Sequence, residues 1–156
     1  MTYIDVIENE MNLSSDEPAF SGGASDEVIA EFEKALRVQF PPSYKLFLKK
    51  FGALSFGGNT YYGITKSGLT AAEVPCVCFA ARFARDAGDA DPKMIVVKAS
   101  GYGPLFSIDT SQLSPSGEAV VVLTELAFKR DGAKEVMYES FEAFFCDTVR
   151  NSIAEF

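Results

Sequence analysis

The stretch FPPSYKLFLKKFG, residues 40–52, decides how the rest of the chain is read. Proline in a first helical turn gives up only an N–H that the helix leaves unpaired, and glycine just past the last turn accepts a left-handed backbone, so both ends are marked. Between them Tyr44, Phe47, Leu48 and Phe51 recur three and four apart and form one apolar face, while Lys45, Lys49 and Lys50 point largely elsewhere. The spacing predicts a short buried helix with a basic outer side.

Toward the amino terminus a second helix is marked by Ser25 as N-cap and by Asp26 and Glu27 at the positive end of the helix dipole. Val28, Ile29, Phe32, Ala35 and Leu36 make its apolar stripe, which stops before Pro41. Ahead of it, SSDEPAFSGGAS (residues 14–25) reads as loop, and Ile4, Ile7 and Met11 have helical spacing. Toward the carboxyl terminus, ALSF and NTYYGI flank Gly57, Gly58 and Asn59 as a hairpin. Tyr61 and Tyr62 adjoin there, which reads either as one core side chain beside one exposed, or as a pair of binding aromatics. Residues 75–87 are ambiguous, since CVCF favours strand and AARFARDA favours helix; helix is the reading adopted.

Four strands follow, MIVVKA, PLFSID, AVVVL and EVMYE, joined by turns too short to hold crossover helices, so they should pair antiparallel. Ser140 then caps a final helix carrying Phe141, Phe144, Phe145, Val149 and Ile153. The expected architecture is α+β: a mainly antiparallel sheet of about six strands packed against N-terminal and C-terminal helices on one face. Its expected core holds Phe32, Leu36, Tyr44, Phe47, Leu48, Val96, Phe106, Ile108, Val121 and Phe144. At 156 residues the chain fits one domain, which buries about two thirds of the surface its unfolded form exposes.

Composition narrows the chemistry. There is no histidine, which removes Ser-His-Asp and Cys-His catalysis, His-based zinc sites and the commonest general base. Cys76, Cys78 and Cys146 are an odd set whose C-x-C spacing fits neither a zinc ribbon nor a redox pair, and they read as reduced structural thiols. Gly101 and Gly103 in SGYGPLF begin like a dinucleotide loop, but Phe106 stands at its sixth position and a strand follows, so a hairpin turn is the reading. No cofactor and no metal is expected. The amino terminus lacks a basic segment leading into an apolar one, and the longest uncharged apolar run, residues 74–81, is too short to span a bilayer; a cytoplasmic protein without a membrane partner is expected.

The net charge is −8, unevenly spread: residues 1–33 hold nine acids and no base, while residues 34–100 hold ten bases and four acids. Such a chain repels phosphate backbones at long range, which speaks against nucleic acid as the ligand and for a basic protein partner, although solubility alone also selects surplus acid. A local basic patch at Lys45, Lys49 and Lys50 stays open.

The run SDEVIAEFEKALRVQFPPSYKLFLKKFGAL, residues 25–54, resembles the N-terminal signature of the SUKH superfamily. Glu33 and Leu36 match its E-x-x-L; Phe40, Pro41, Tyr44, Phe47 and Leu48 match its hydrophobic-Pro-x-x-Tyr-x-x-Phe-Leu. MIVVKASGYGPLFSIDTS resembles that family's strand, glycine turn and strand ending in Asp109, and SFEAFF its closing helix. Gly52-Ala53 stands where members often have Asn-Gly, and Phe40 where Leu is common. The resemblance implies a non-catalytic binding protein: either a bacterial immunity protein that neutralises a polymorphic toxin, many of which are nucleases, or an intracellular regulatory or scaffolding module of the Smi/Knr cell-wall-synthesis type.

For contact with a basic toxin domain, the candidates are Asp16 and Glu17 in the loop and Glu27 and Glu31, four apart and off the Val28, Phe32, Leu36 stripe. Glu27 also has a plainer reading as a complement to the helix dipole, and Glu31 as an ion-pair partner of Lys34.

Overall fold

The structure, a computed structural model, describes residues 2–101, 103–125 and 132–155. Helix α1 (Tyr3–Leu13) buries Ile4, Ile7 and Met11, as their spacing requires. Helix α2 (Asp26–Leu36) begins where the Ser25 hydroxyl accepts the Val28 N–H, at 3.3 Å. Helix α3 (Pro42–Lys50) has Pro41 as its N-cap and Pro42 at its first position. Helix α4 (Val77–Ala87) settles the ambiguous segment as helix and closes on Gly88 in a left-handed conformation. Helix α5 (Phe141–Ala154) is capped by the Ser140 hydroxyl, which accepts the Ala143 N–H at 3.0 Å.

The α+β expectation holds, with the strands divided between two antiparallel sheets. In the first, β1 (Ala19–Phe20), β2 (Leu54–Phe56) and β3 (Asn59–Tyr61) lie in that order. In the second, β4 (Met94–Ala99), β5 (Leu105–Leu113), β6 (Ala119–Thr124) and β7 (Glu135–Tyr138) lie in sequence order. The strand beyond the expected set is β1, two residues inside the stretch read as loop. A pair of residues has no measurable period; what holds it extended is non-local. The Ser21 hydroxyl accepts the Ala53 N–H and donates to the Ile64 carbonyl, both at 2.9 Å. Gly52 follows α3 with φ of 74°, as the punctuation implied, and a Cβ on nearby Gly63 would stand 1.7 Å from the Gly52 oxygen, so two backbones meet there at a distance only glycine permits.

The core forms where α3 meets α5. The Tyr44 ring lies edge-on to Phe40 and Phe141, at 5.2 and 4.9 Å between centroids, and the Phe47 ring packs against Phe141, Phe145 and Tyr61. On the other side of α5, Phe144 touches Phe106 and Tyr138, which seats the second sheet on the same helix. Nine of the ten expected core residues are buried; Phe106 is half-buried, with the Lys98 ammonium 5.7 Å from its ring centroid. Tyr61 and Tyr62 depart from both sequence readings, because both are buried. Just past β3, the Tyr62 N–H donates to the Val97 carbonyl at 2.7 Å and joins the two sheets.

Cys76 and Cys78 are buried, Cys146 is half-buried, and all three are free thiols. Burial pushes the Cys78 thiol up and the Cys146 thiol up to about 11, so both stay protonated and unreactive at neutral pH. Among the described residues, no helix is long and apolar enough to cross a membrane.

Phe47 is fully buried with aromatic neighbours on several sides. Phe47→Ala should lower the unfolding free energy by roughly 3–5 kcal/mol in urea titrations. A loss below about 1 kcal/mol would remove Phe47 from the centre of the core.

Candidate functional site

The signature residues make a corner between α2 and α3. After Leu36 the chain turns through Arg37, a non-glycine residue with φ of 57°, and the Arg37 and Val38 N–H groups donate back to the Lys34 and Glu33 carbonyls. A side chain in this left-handed region costs roughly 1–2 kcal/mol relative to the right-handed one. Three residues on, the Phe40 N–H donates to the Glu33 carboxylate at 2.7 Å, and the Lys45 ammonium lies 3.5 Å from the same oxygen. Glu33 therefore staples the end of α2 to the start of α3.

The other matched residues point inward. Leu36, Phe40, Pro41, Tyr44, Phe47 and Leu48 are all buried. The Tyr44 hydroxyl donates to the Tyr62 carbonyl at 2.7 Å, and desolvation by burial holds its pKa well above the ordinary phenol value. A phenol so placed stays neutral and is a fixed donor.

Asp109, the last matched residue, is a fully buried carboxylate. It accepts from the Ser111 N–H (3.0 Å) and hydroxyl (2.6 Å), the Gln112 amide (2.8 Å) and the Lys134 ammonium (2.9 Å). The same ammonium reaches Asp91 at 2.6 Å, so β5 is tied to the approaches of both β4 and β7. Burial works to raise the Asp109 pKa, but the hydrogen bonds from Ser111, Lys134 and Gln112 outweigh it and hold the carboxyl below its usual value. Lys134 is held up by its two carboxylates against the opposing effect of burial.

Between the corner and the outer end of β5 lies an open groove of about 700 Å³. Glu33, Lys34, Arg37, Phe40 and Pro42 line one wall; Lys93, Thr110, Ser111, Leu113 and Ala119 line the other. Its titratable side chains are three cations and one carboxylate already engaged by a backbone N–H. The Ser111 hydroxyl donates to Asp109, whose carboxyl is held below its usual value.

The four acidic candidates are not brought to one place. Asp16 accepts the Gly57 N–H at 2.7 Å and fastens its loop to the β2–β3 turn, so its carboxylate is committed to the fold. Glu17 is exposed beside it. Glu27 and Glu31 share the solvent face of α2, one turn apart, and among the described residues make no ion pair; Glu31 does not pair with Lys34. The lysines of α3 are, by contrast, each neutralised: Lys45 by Glu33, Lys49 by Asp26 at 2.8 Å and Lys50 by Glu8 at 3.2 Å. The basic patch left open by the sequence is thereby closed.

A further acidic surface was missed. Glu139 and Glu142 at the start of α5 line two shallow cavities of about 340 and 360 Å³, the second shared with Glu118 and Leu46. These residues come from three separate elements, and no spacing in the chain announces their meeting.

The SUKH_6 family model, described as SMI1-KNR4 cell-wall, matches residues 26–145, well over half of the chain. The matched span opens on the first residue of α2, ends within α5, and contains both the Glu33 corner and Asp109.

The pKa shifts fix a pH dependence. Asp109, depressed in the folded state, contributes stability that is present above the unfolded carboxylate value of about 3.9 and is lost as pH falls through the folded value. Lys134, raised, contributes below the unfolded lysine value of about 10.4 and loses its contribution as pH rises through the folded one. Asp109→Asn should cost about 1.5–3 kcal/mol at neutral pH, since it weakens the hydrogen bonds that Ser111, Gln112 and Lys134 donate to a charged acceptor while Asp91 still pairs with Lys134, and should flatten the decline in stability as pH falls below about 5. Urea midpoints across that range check both; a variant with the wild-type acid limb would show that Asp109 is not the group responsible.

Proposed function

Because the chain belongs to the SMI1-KNR4 (SUKH) family, we propose that it is a non-catalytic protein-binding domain, an immunity protein that neutralises a basic toxin domain by direct stoichiometric binding. The observation that carries the proposal is the state of Glu27 and Glu31. They stand exposed on one face of α2 and unpaired among the described residues, while the neighbouring lysines of α3 are spent on other acids. Carboxylates left unneutralised are available to a partner's cations. Their field and the chain's net charge of −8 speed the encounter with a basic domain and disfavour acidic competitors.

Glu17 extends the acidic set, and Glu139 and Glu142 offer a second acidic surface for a partner large enough to reach it. The reading as a regulatory module of the cell-wall type draws on the family description itself and needs the same binding surfaces with a different partner.

A charge-reversal pair, Glu27→Lys with Glu31→Lys, tests the proposal against a basic toxin domain encoded beside this chain. Both side chains are exposed, so the fold should survive. Stopped-flow association should slow by about tenfold or more at low salt, with the difference shrinking as ionic strength rises. Unchanged association at every salt concentration would move the contact off α2, and wild-type protein that neither binds nor inhibits the toxin would defeat the immunity reading.

A further inference from the structure

We infer that the groove between the α2–α3 corner and the outer end of β5 is a second binding surface, which takes an acidic, extended segment of a protein partner carrying an apolar side chain. The inference stands apart from the toxin reading, because it uses the opposite charge and other residues.

It begins with where the cations are. Lys45, Lys49, Lys50, Lys134 and Arg150 are ion-paired. Arg85 donates to the Leu36 and Met94 carbonyls, and Lys98 to the Ala99 carbonyl and over the Phe106 ring. Among the described residues, five cations are left without such a partner: Lys34, Arg37, Lys66, Arg82 and Lys93. Three of the five, Lys34, Arg37 and Lys93, line this one groove. Lys34 and Arg37 sit at the end of α2, where a cation complements the helix dipole, but Lys93 comes from the approach to β4 and has no helix end to serve.

Arg37 adds a second observation. Its left-handed backbone at the close of α2 is the conformation that glycine fills without strain, yet the position carries an arginine, aimed from the rim of the groove. A strained arginine where glycine would serve the fold better points to a use for the guanidinium, and bidentate recognition of a carboxylate is what it supplies.

The occupant follows from charge complementarity and from the wall opposite. Leu113, 68% exposed, presents an apolar side chain among the cations, which suits a peptide with mixed acidic and apolar side chains. A polyanionic nucleic acid is disfavoured by the −8 net charge, by Glu33 in the groove wall and by unpaired Glu31 within three residues of Lys34.

The test uses the full chain and a fluorescein-labelled peptide alternating glutamate and leucine, with a glutamate–glycine peptide and oligothymidylate as comparisons, followed by anisotropy at low salt. Wild type should bind the glutamate–leucine peptide, the glutamate–glycine peptide more weakly and oligothymidylate least. Lys34→Glu with Lys93→Glu should weaken peptide binding by about tenfold or more. Arg37→Gly should weaken it several-fold while its urea midpoint stays equal to or above that of wild type, which separates a binding role from a structural one. Glu27→Lys with Glu31→Lys should leave peptide binding intact, so failure here and failure of the toxin reading are distinguishable. No binding by wild type, undiminished binding by the double reversal, or tighter binding of oligothymidylate would each overturn the inference.

Discussion

The Phe40 N–H reaches the Glu33 carboxylate at 2.7 Å, and through that contact the end of α2 sets the approach to α3, the helix on which the core is built. The chain must reverse between Leu36 and Pro42 with two prolines and a left-handed arginine in the turn, a segment with few hydrogen bonds of its own to hold its angle. One side chain seven residues back supplies the hold. With the angle set, α3 presents Tyr44, Phe47 and Leu48 inward and Lys45, Lys49 and Lys50 outward. α5 closes over the aromatic face, and the second sheet is seated on α5 through Phe144. The groove is the outer surface of the same corner, so fold and candidate site share one fastening.

Electrostatics divide the surface in a way the net charge hides. Acids and bases that could cancel are largely matched inside the fold: Asp26 with Lys49, Glu8 with Lys50, Glu10 with Arg150, and Asp91 and Asp109 with Lys134. The exposed pairs among these add little to stability, but each pair withdraws its charges from the field a partner meets. What remains is sorted along α2, with Glu27 and Glu31 unpaired toward its start and Lys34 and Arg37 unpaired at its close. The helix offers two polarities to solvent within a few turns.

Much of the fold was legible because its signals are local. Proline before and glycine after α3, the serine caps of α2 and α5, and runs such as MIVVKA each carry their own reason for the conformation they adopt. What was not legible depends on residues far apart in the chain. β1 is held by its pairing with β2, and Ser21 just past it bonds to Ala53 and Ile64. Tyr62 is buried because β4 arrives beside it, and the half-buried Asp16 has its carboxylate engaged by the Gly57 N–H. The lysines of α3 looked like a free patch because their acids lie on α1 and α2, and the convergence of Lys93 with Lys34 and Arg37 is set by tertiary packing alone. The matched motif residues were legible as a family signature, whereas the division of labour within it, Glu33 as staple and Tyr44 as buried donor, is set by the tertiary fold.

The most direct measurement of this account is the unfolding free energy of Glu33→Ala beside that of Glu33→Gln, from urea titrations at neutral pH. A hydrogen bond to a charged acceptor contributes about 1.5–3 kcal/mol, so Glu33→Ala should lose that much, while Glu33→Gln, which keeps an amide oxygen in reach of the Phe40 N–H, should recover a good part of it. An alanine variant within about 0.5 kcal/mol of wild type would contradict the account, because a side chain that nothing depends on cannot be what holds the corner.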